Sequence, residues 1–219
     1  MEFILKQFKL IILTTLFITC VVTGFAQVKH KSTGHKPGTR APSAQLKDFY
    51  FLAAEANVKF TFPAGFKEVE VINDEDFSYD YAMELPGHEF EIWVQVKSQK
   101  QDWATYERYK DDKSKQLANP DSLYIGWGRA QASSLTGSQS YLTRNIAPDV
   151  LRRYNANAGK SYLLNLLDLP ETKHYKYALL ITLQRDRLGT ILAVCFTNEK
   201  NAEFFKDINQ ISHYLKFKP

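Results

Sequence analysis

The sequence predicts an α+β domain, an antiparallel β-sheet flanked by helices, and three observations carry that expectation. Apolar residues alternate over Phe77 to Glu84 and again over Phe90 to Lys97, with Leu85-Pro86-Gly87-His88 between them as a turn. Three later stretches, Ser161 to Leu167, Tyr175 to Leu183 and Thr190 to Phe196, are apolar at nearly every position, as strands covered on both faces are. Helical spacing appears between and after the strands, most clearly from Asn201 onward.

Taken in chain order, the first element is an address. Lys6 and Lys9 precede an apolar run from Leu10 to Val22, and Gly24 and Ala26 present small residues to a signal peptidase. Residues 1 to 26 therefore read as a signal peptide cleaved after Ala26, and the protein as periplasmic or secreted. The run is too short for a stable transmembrane helix, so no membrane-spanning segment is expected after cleavage. Cys20 follows Phe17-Ile18-Thr19, which lacks the small residue and Gly or Ala of a lipobox, so lipidation there is not expected.

Residues 27 to 42 read as a disordered basic tail. Lys29, Lys31, Lys36 and Arg40 occur there with no acid, so the excess positive charge resides in the N-terminal 40 residues and the body is nearly neutral. A neutral exported body offers no nucleic-acid surface. After cleavage Cys195 is the sole cysteine; it sits in an apolar strand and reads as a buried apolar residue, with no intrachain disulfide.

Residues 43 to 219 are expected to form one domain. Gln45 to Ala56 fits a helix, although Phe49-Tyr50-Phe51-Leu52 also fits a strand. Val58, Phe60 and Phe62 suggest a short strand before Pro63, and Val69 to Val71 another. The hairpin follows, with Phe77, Tyr79, Tyr81 and Met83 on one face and its polar side open to solvent near a sheet edge. Asp102 is read as the cap of a helix from Trp103 to Ala118, stopped by Asn119-Pro120. Asp121 begins a second helix through Leu123, Trp127 and Ala130 to Leu135. The three apolar strands form the sheet centre, and a helix from Asn201 with Phe205, Ile208, Ile211 and Leu215 on one stripe closes the chain.

The segment Phe60-Thr61-Phe62-Pro63-Ala64-Gly65-Phe66-Lys67-Glu68 resembles the opening of PsbP-like and DcrB-like α/β/α sandwich proteins, and the later element order resembles that fold as well. The chain is also similar to uncharacterised exported proteins of Bacteroidetes type, which have counterparts of Tyr154-Asn155-Ala156-Asn157-Ala158-Gly159 and Tyr175-Lys176-Tyr177. The resemblance spans residues 58 to 217. It implies small accessory, assembly or lipoprotein-like roles and brings no active site to carry over.

Asp74, Asp76, Ser78 and Asp80 have the odd-position spacing of a calcium loop, but Tyr79 and Leu85 stand where that loop needs Gly and Glu. Gly126-Trp127-Gly128 lacks the third glycine of a dinucleotide site, and Thr136-Gly137-Ser138-Gln139-Ser140 lacks the second glycine of a nucleophile elbow. His88 beside Glu89 and Glu91, and His174 near Asp168 and Glu171, are the places where imidazole and carboxylate cluster.

Thirty residues are aromatic, and Trp93 between Glu91 and Gln95 is the clearest outward candidate for stacking a sugar ring or anchoring a partner, the alternative being a Trp covered by a helix or by the Trp103 segment. The expectation is thus an exported non-enzymatic domain binding a protein or envelope component through Glu91, Trp93 and Gln95, with no cofactor, catalytic residue or metal ligand assigned. A small extracytoplasmic hydrolase or metal-dependent enzyme using His88 or His174 is the alternative.

Overall fold

The structure is a computed structural model that describes residues 41–73, 77–137 and 141–219. The signal segment, the basic tail up to Arg40, Asp74 and Asp76 of the calcium-like spacing, and Ser138 to Ser140 of the elbow-like motif lie outside the described residues. Pro42–Pro219 is one compact unit.

Ser43 opens helix α1 (Ala44–Glu55) by accepting a hydrogen bond from Leu46 N at 3.0 Å. The helix buries Phe49 and Ala53, one turn apart, which decides in favour of helix where Phe49 to Leu52 fitted either state. Strand β1 (Val58–Phe60) pairs antiparallel with the last strand, β9 (Leu215–Phe217), so the two ends of the domain close on each other.

Seven strands make the main sheet: β2 (Lys67–Val69), β3 (Tyr81–Glu84), β4 (Glu91–Ser98), β5 (Leu142–Asn145), β6 (Ala158–Asn165), β7 (Tyr177–Arg185) and β8 (Gly189–Thr197). Their spatial order is β2-β3-β4-β8-β7-β6-β5, antiparallel throughout. Pro86 and Gly87, the latter at φ +84°, are the central residues of the turn between β3 and β4, where a type II turn needs a residue of positive φ. Between β7 and β8 that conformation falls on Arg187, at φ 63°.

Four helices follow α1: α2 (Lys100–Tyr109), α3 (Leu123–Thr136), α4 (Pro148–Tyr154) and α5 (Ala202–Tyr214). One sheet face, carrying Tyr81, Met83, Ile92, Val94 and Cys195, packs with residues of α1, α5 and the β1–β9 pair. The other, carrying Trp93, Tyr162, Leu180, Leu192 and Val194, packs beneath Ala132 and Leu135 of α3. The result is a three-layer α+β sandwich with two cores.

The structure corrects the hairpin. Strand β4 lies beside the central strand β8 over eight residue pairs, and the layers on both sides of the sheet cover its first half: Glu91, Ile92, Trp93 and Val94 are all buried, whereas Lys97 near its end is exposed. The regular strand before it starts only at Tyr81. Phe77 and Tyr79 belong to the α3-side core, whereas Tyr81 and Met83 belong to the opposite one. Asp80 causes the switch: its Oδ2 accepts from Val96 N at 2.7 Å, supplying from a side chain the acceptor that a continuing ladder would take from the backbone.

Helix α2 is also shorter than its sequence suggests and begins at Lys100, with Asp102 in the first turn rather than at the cap. It buries none of its residues, so packing does not extend it. Asp112 then offers the chain a turn, accepting from Ser114 N at 3.0 Å and Ser114 Oγ at 2.6 Å. In α5 the buried stripe is Phe204, Ile208 and Ile211, with Phe205 left exposed.

Candidate functional site

Glu91, Trp93 and Gln95 all point from β4 toward the α3 side of the sheet, as alternate residues of one strand must. Trp93 is only 2% exposed. Its ring meets Phe196 at 4.5 Å and Tyr79 at 5.0 Å between centroids, and its Nε1 donates to Glu91 Oε1 at 2.7 Å. Glu91 is wholly buried and receives Lys173 Nζ on its other oxygen at 2.6 Å. These two residues are therefore a satisfied core pair, and the expectation of a solvent-facing Trp93 is overturned.

Gln95, further along the strand, lines a cavity. The cavity occupies about 440 Å³ between the end of β4, the start of α2 and the first turns of α3. Its floor includes Gln95, Lys97 and Thr190, and its walls include Asp102, Tyr124 and Trp127. That volume lies within the ~300–1,000 Å³ usual for small-molecule sites.

Two oxygens in this cavity distinguish it. Gln95 Oε1 and Asp102 Oδ2 are both buried without a hydrogen-bond partner. Asp102 Oδ2 has the Lys97 ammonium 3.5 Å away, an ion pair too long for a good hydrogen bond. A buried acceptor left unpaired costs about 1–3 kcal/mol, so two in one cavity ask for donors from a bound molecule or water. Burial and then the Asp186 carboxylate push the Tyr124 phenol up, so that it stays protonated.

A buried polar cluster braces this end of the sheet. Gln99 donates to Pro120 O at 2.7 Å, and Gln184 donates to Gln99 Oε1 at 2.6 Å and to Asp121 Oδ1 at 2.9 Å. Thr190 Oγ1 donates to Gln184 Oε1 at 2.8 Å, and Trp103 Nε1 donates to Asp121 Oδ1 at 2.9 Å. Asp121, read from the sequence as a helix start, thus ties the 3₁₀ turn before α3 to α2 and to the β7–β8 hairpin. Bonded polar side chains of this kind hold the cavity's rim in one geometry.

The histidines sit apart. His174 Nδ1 meets Asp168 Oδ1 at 2.6 Å, but both side chains are mostly in solvent. His88 Nδ1 lies 3.3 Å from Asp207 Oδ2 and 3.5 Å from Glu203 Oε1 beside the first turns of α5. Glu91 belongs to neither group, being held by Trp93 and Lys173. Among the described residues no group of three or more His, Cys, Asp or Glu side chains could hold a metal ion. Burial pushes the Cys195 thiol far up, which suppresses its nucleophilic form.

The sequence reading missed Asp102, Tyr124, Trp127 and Thr190 as a group because they come from three elements, α2, α3 and β8, far apart in the chain. The available signal was the run of polar residues Gln184, Thr190 and Gln99 in or beside otherwise apolar strands. Fold and cavity together define an α/β/α sandwich with a small-molecule-sized site between sheet and helix. No family model matches the chain, and no curated protein matches it.

Proposed function

We propose that this is an exported, non-catalytic domain that binds an envelope component, with the cavity of Gln95, Asp102, Tyr124 and Trp127 as its binding site. The supporting observation is the pair of buried oxygens without a hydrogen-bond partner, Gln95 Oε1 and Asp102 Oδ2, the second of which has only the Lys97 ammonium 3.5 Å away. A ligand that satisfies them must donate hydrogen bonds, and Tyr124 and Trp127 offer it aromatic surface. A saccharide unit has both properties, with hydroxyl donors on its edge and C–H groups on its face. The resemblance to PsbP-like and DcrB-like sandwiches is part of this proposal and agrees with an accessory role.

Calorimetric titration of the purified protein with envelope-type mono- and disaccharides tests the site. Saturable binding that Gln95→Leu and Asp102→Asn each weaken is the expected result. Absence of binding across the panel, or binding untouched by both substitutions, would overturn the assignment. Export has its own test, because the intact mass of the exported form should begin at Gln27. A mass that retains residues 1 to 26, or a diacylglyceryl group on Cys20, would overturn it.

A further inference from the structure

We infer that the opposite face of the sheet carries a second site, which takes a single-chain anionic amphiphile such as a fatty acid carboxylate. The inference is independent of the saccharide reading. It starts from strand register: Arg144 of β5 lies opposite Ser161 of β6, and Ser161 lies opposite Ile181 of β7. Directly opposed residues share a face, so Arg144 stands on the face where Ile181 belongs to the core. The neighbouring row, Leu142, Leu163 and Leu179, points the same way, and Leu142 is 53% exposed at the sheet edge.

This stretch of sheet floors a groove of about 230 Å³ between α4 and α5. Leu179 and Ile181 form its floor, Val150 and Ile208 its apolar walls, and Arg144 and Arg153 its charged margins. The volume is below the ~300 Å³ at which enclosed drug-sized ligands begin, so an unbranched alkyl segment fits better than a ring system. Neither arginine has an ion-pair partner among the described residues. Arg152 beside Arg153 gives α4 two cations against one acid, Asp149.

Charge selects the occupant. The basic leader, with four cations and no acid between residues 27 and 40, would be repelled by these arginines. A second copy in a two-fold contact would set the same cations against each other. An alkyl chain ending in a carboxylate matches both the apolar floor and the guanidinium groups, which recognise carboxylates through paired hydrogen bonds.

The test titrates the purified protein with decanoate below its micelle concentration, with decylamine and phosphatidylglycerol vesicles as parallel probes, using calorimetry and backbone amide NMR. Decanoate should bind saturably with shifts at Val150 and Ile181, and decylamine should not bind. Arg144→Glu combined with Arg153→Glu should weaken decanoate by about tenfold or more, the worth of one hydrogen bond to a charged group. Arg144→Gln with Arg153→Gln should also weaken it, and circular dichroism should show both variants folded. Equal binding of decylamine, wild-type affinity in both double variants, or binding to vesicles alone would each overturn the inference. Loss of decanoate binding in Gln95→Leu would assign the effect to the other cavity and overturn it too.

Discussion

Lys173 Nζ stands 2.6 Å from Glu91 Oε2 although 82 residues separate the two in sequence. The carboxylate is fully buried and the lysine is about half exposed, so the loop before β7 supplies a solvent-tethered cation to a charge inside the sheet. Lys173 adopts φ 50° to do so, a left-handed conformation uncommon for a side-chain-bearing residue.

Removing only the cation should therefore be costly. Lys173→Met leaves Glu91 charged, buried and bonded by Trp93 alone, and is expected to destabilise by about 2–3 kcal/mol, less than a fully buried pair because Lys173 keeps part of its hydration. Glu91→Gln with Lys173→Met should cost less than the sum of the singles, since no charge is then left without a partner. Urea denaturation read by tryptophan fluorescence measures the cycle. Strict additivity would show that the pair is not coupled.

Strand β8 allows a contrast with the cavity. Leu192 is fully buried opposite Gln95, and Leu192→Ala should cost about 2–5 kcal/mol through lost transfer energy and the void left behind. Gln95→Ala removes an amide oxygen that has no hydrogen-bond partner, so it should leave stability unchanged or raise it by up to about 1–3 kcal/mol, the cost of an unpaired buried acceptor. Denaturant midpoints of the two variants decide it; comparable large losses would mean that Gln95 holds a structural bond.

The same pair shows what was legible in the sequence. Continuous apolar runs located β7 and β8, and the helical spacing after Asn201 located α5, because strong periodicity is a local signal. The alternation of Glu91, Trp93 and Gln95 signalled a half-exposed strand, yet Glu91 and Trp93 satisfy each other inside the sheet. Pairing between polar residues is a tertiary fact that alternation does not encode. Strand β5 escaped notice because all four of its residues are exposed and leave no apolar pattern. The cavity was hidden for the related reason that its residues converge from β4, α2, α3 and β8.

Asp80 gives a pH signature. Burial raises its pKa above the ordinary carboxylate value, and the hydrogen bond from Val96 N only partly offsets this. Between the unfolded and the folded pKa the native state therefore holds a proton that the unfolded chain has lost. Stability contributed by this group falls as pH rises through that window and stays lower above it. Asp80→Asn keeps an acceptor for Val96 N without the charge. It should be more stable than wild type at neutral pH, with the gap closing as pH falls toward ~3.9, the free Asp value. Thermal melts across that range test it, and a constant gap would remove Asp80 as its source.

Cys195 is fully buried in β8, and burial disfavours its thiolate. Iodoacetamide labelling mapped to the Cys195 peptide should be negligible in the folded protein and complete in denaturant. Labelling at a rate near that of a free thiol under native conditions would contradict the packing of both neighbouring strands.

Two glycines in α3 should respond in opposite directions. A Cβ on Gly126 meets nothing within 4 Å, so Gly126→Ala gains helix propensity and loses only unfolded-state freedom, for about 0.4–1 kcal/mol of added stability. A Cβ on Gly128 would stand 2.8 Å from Thr182 Cγ2 and from the Tyr162 ring. Tyr162 is fully buried and so is Thr182, so neither can swing into solvent, and α3 must lift from the sheet. Gly128→Ala should cost about 1–3 kcal/mol. Because Tyr124 and Trp127 ride on the same helix, the lift also displaces the cavity wall, and Trp127 emission should shift in this variant while Gly126→Ala leaves it unchanged. Equal melting temperatures for both variants would show that α3 does not rest on β6 and β7 at Gly128, and the cavity would then have a movable wall.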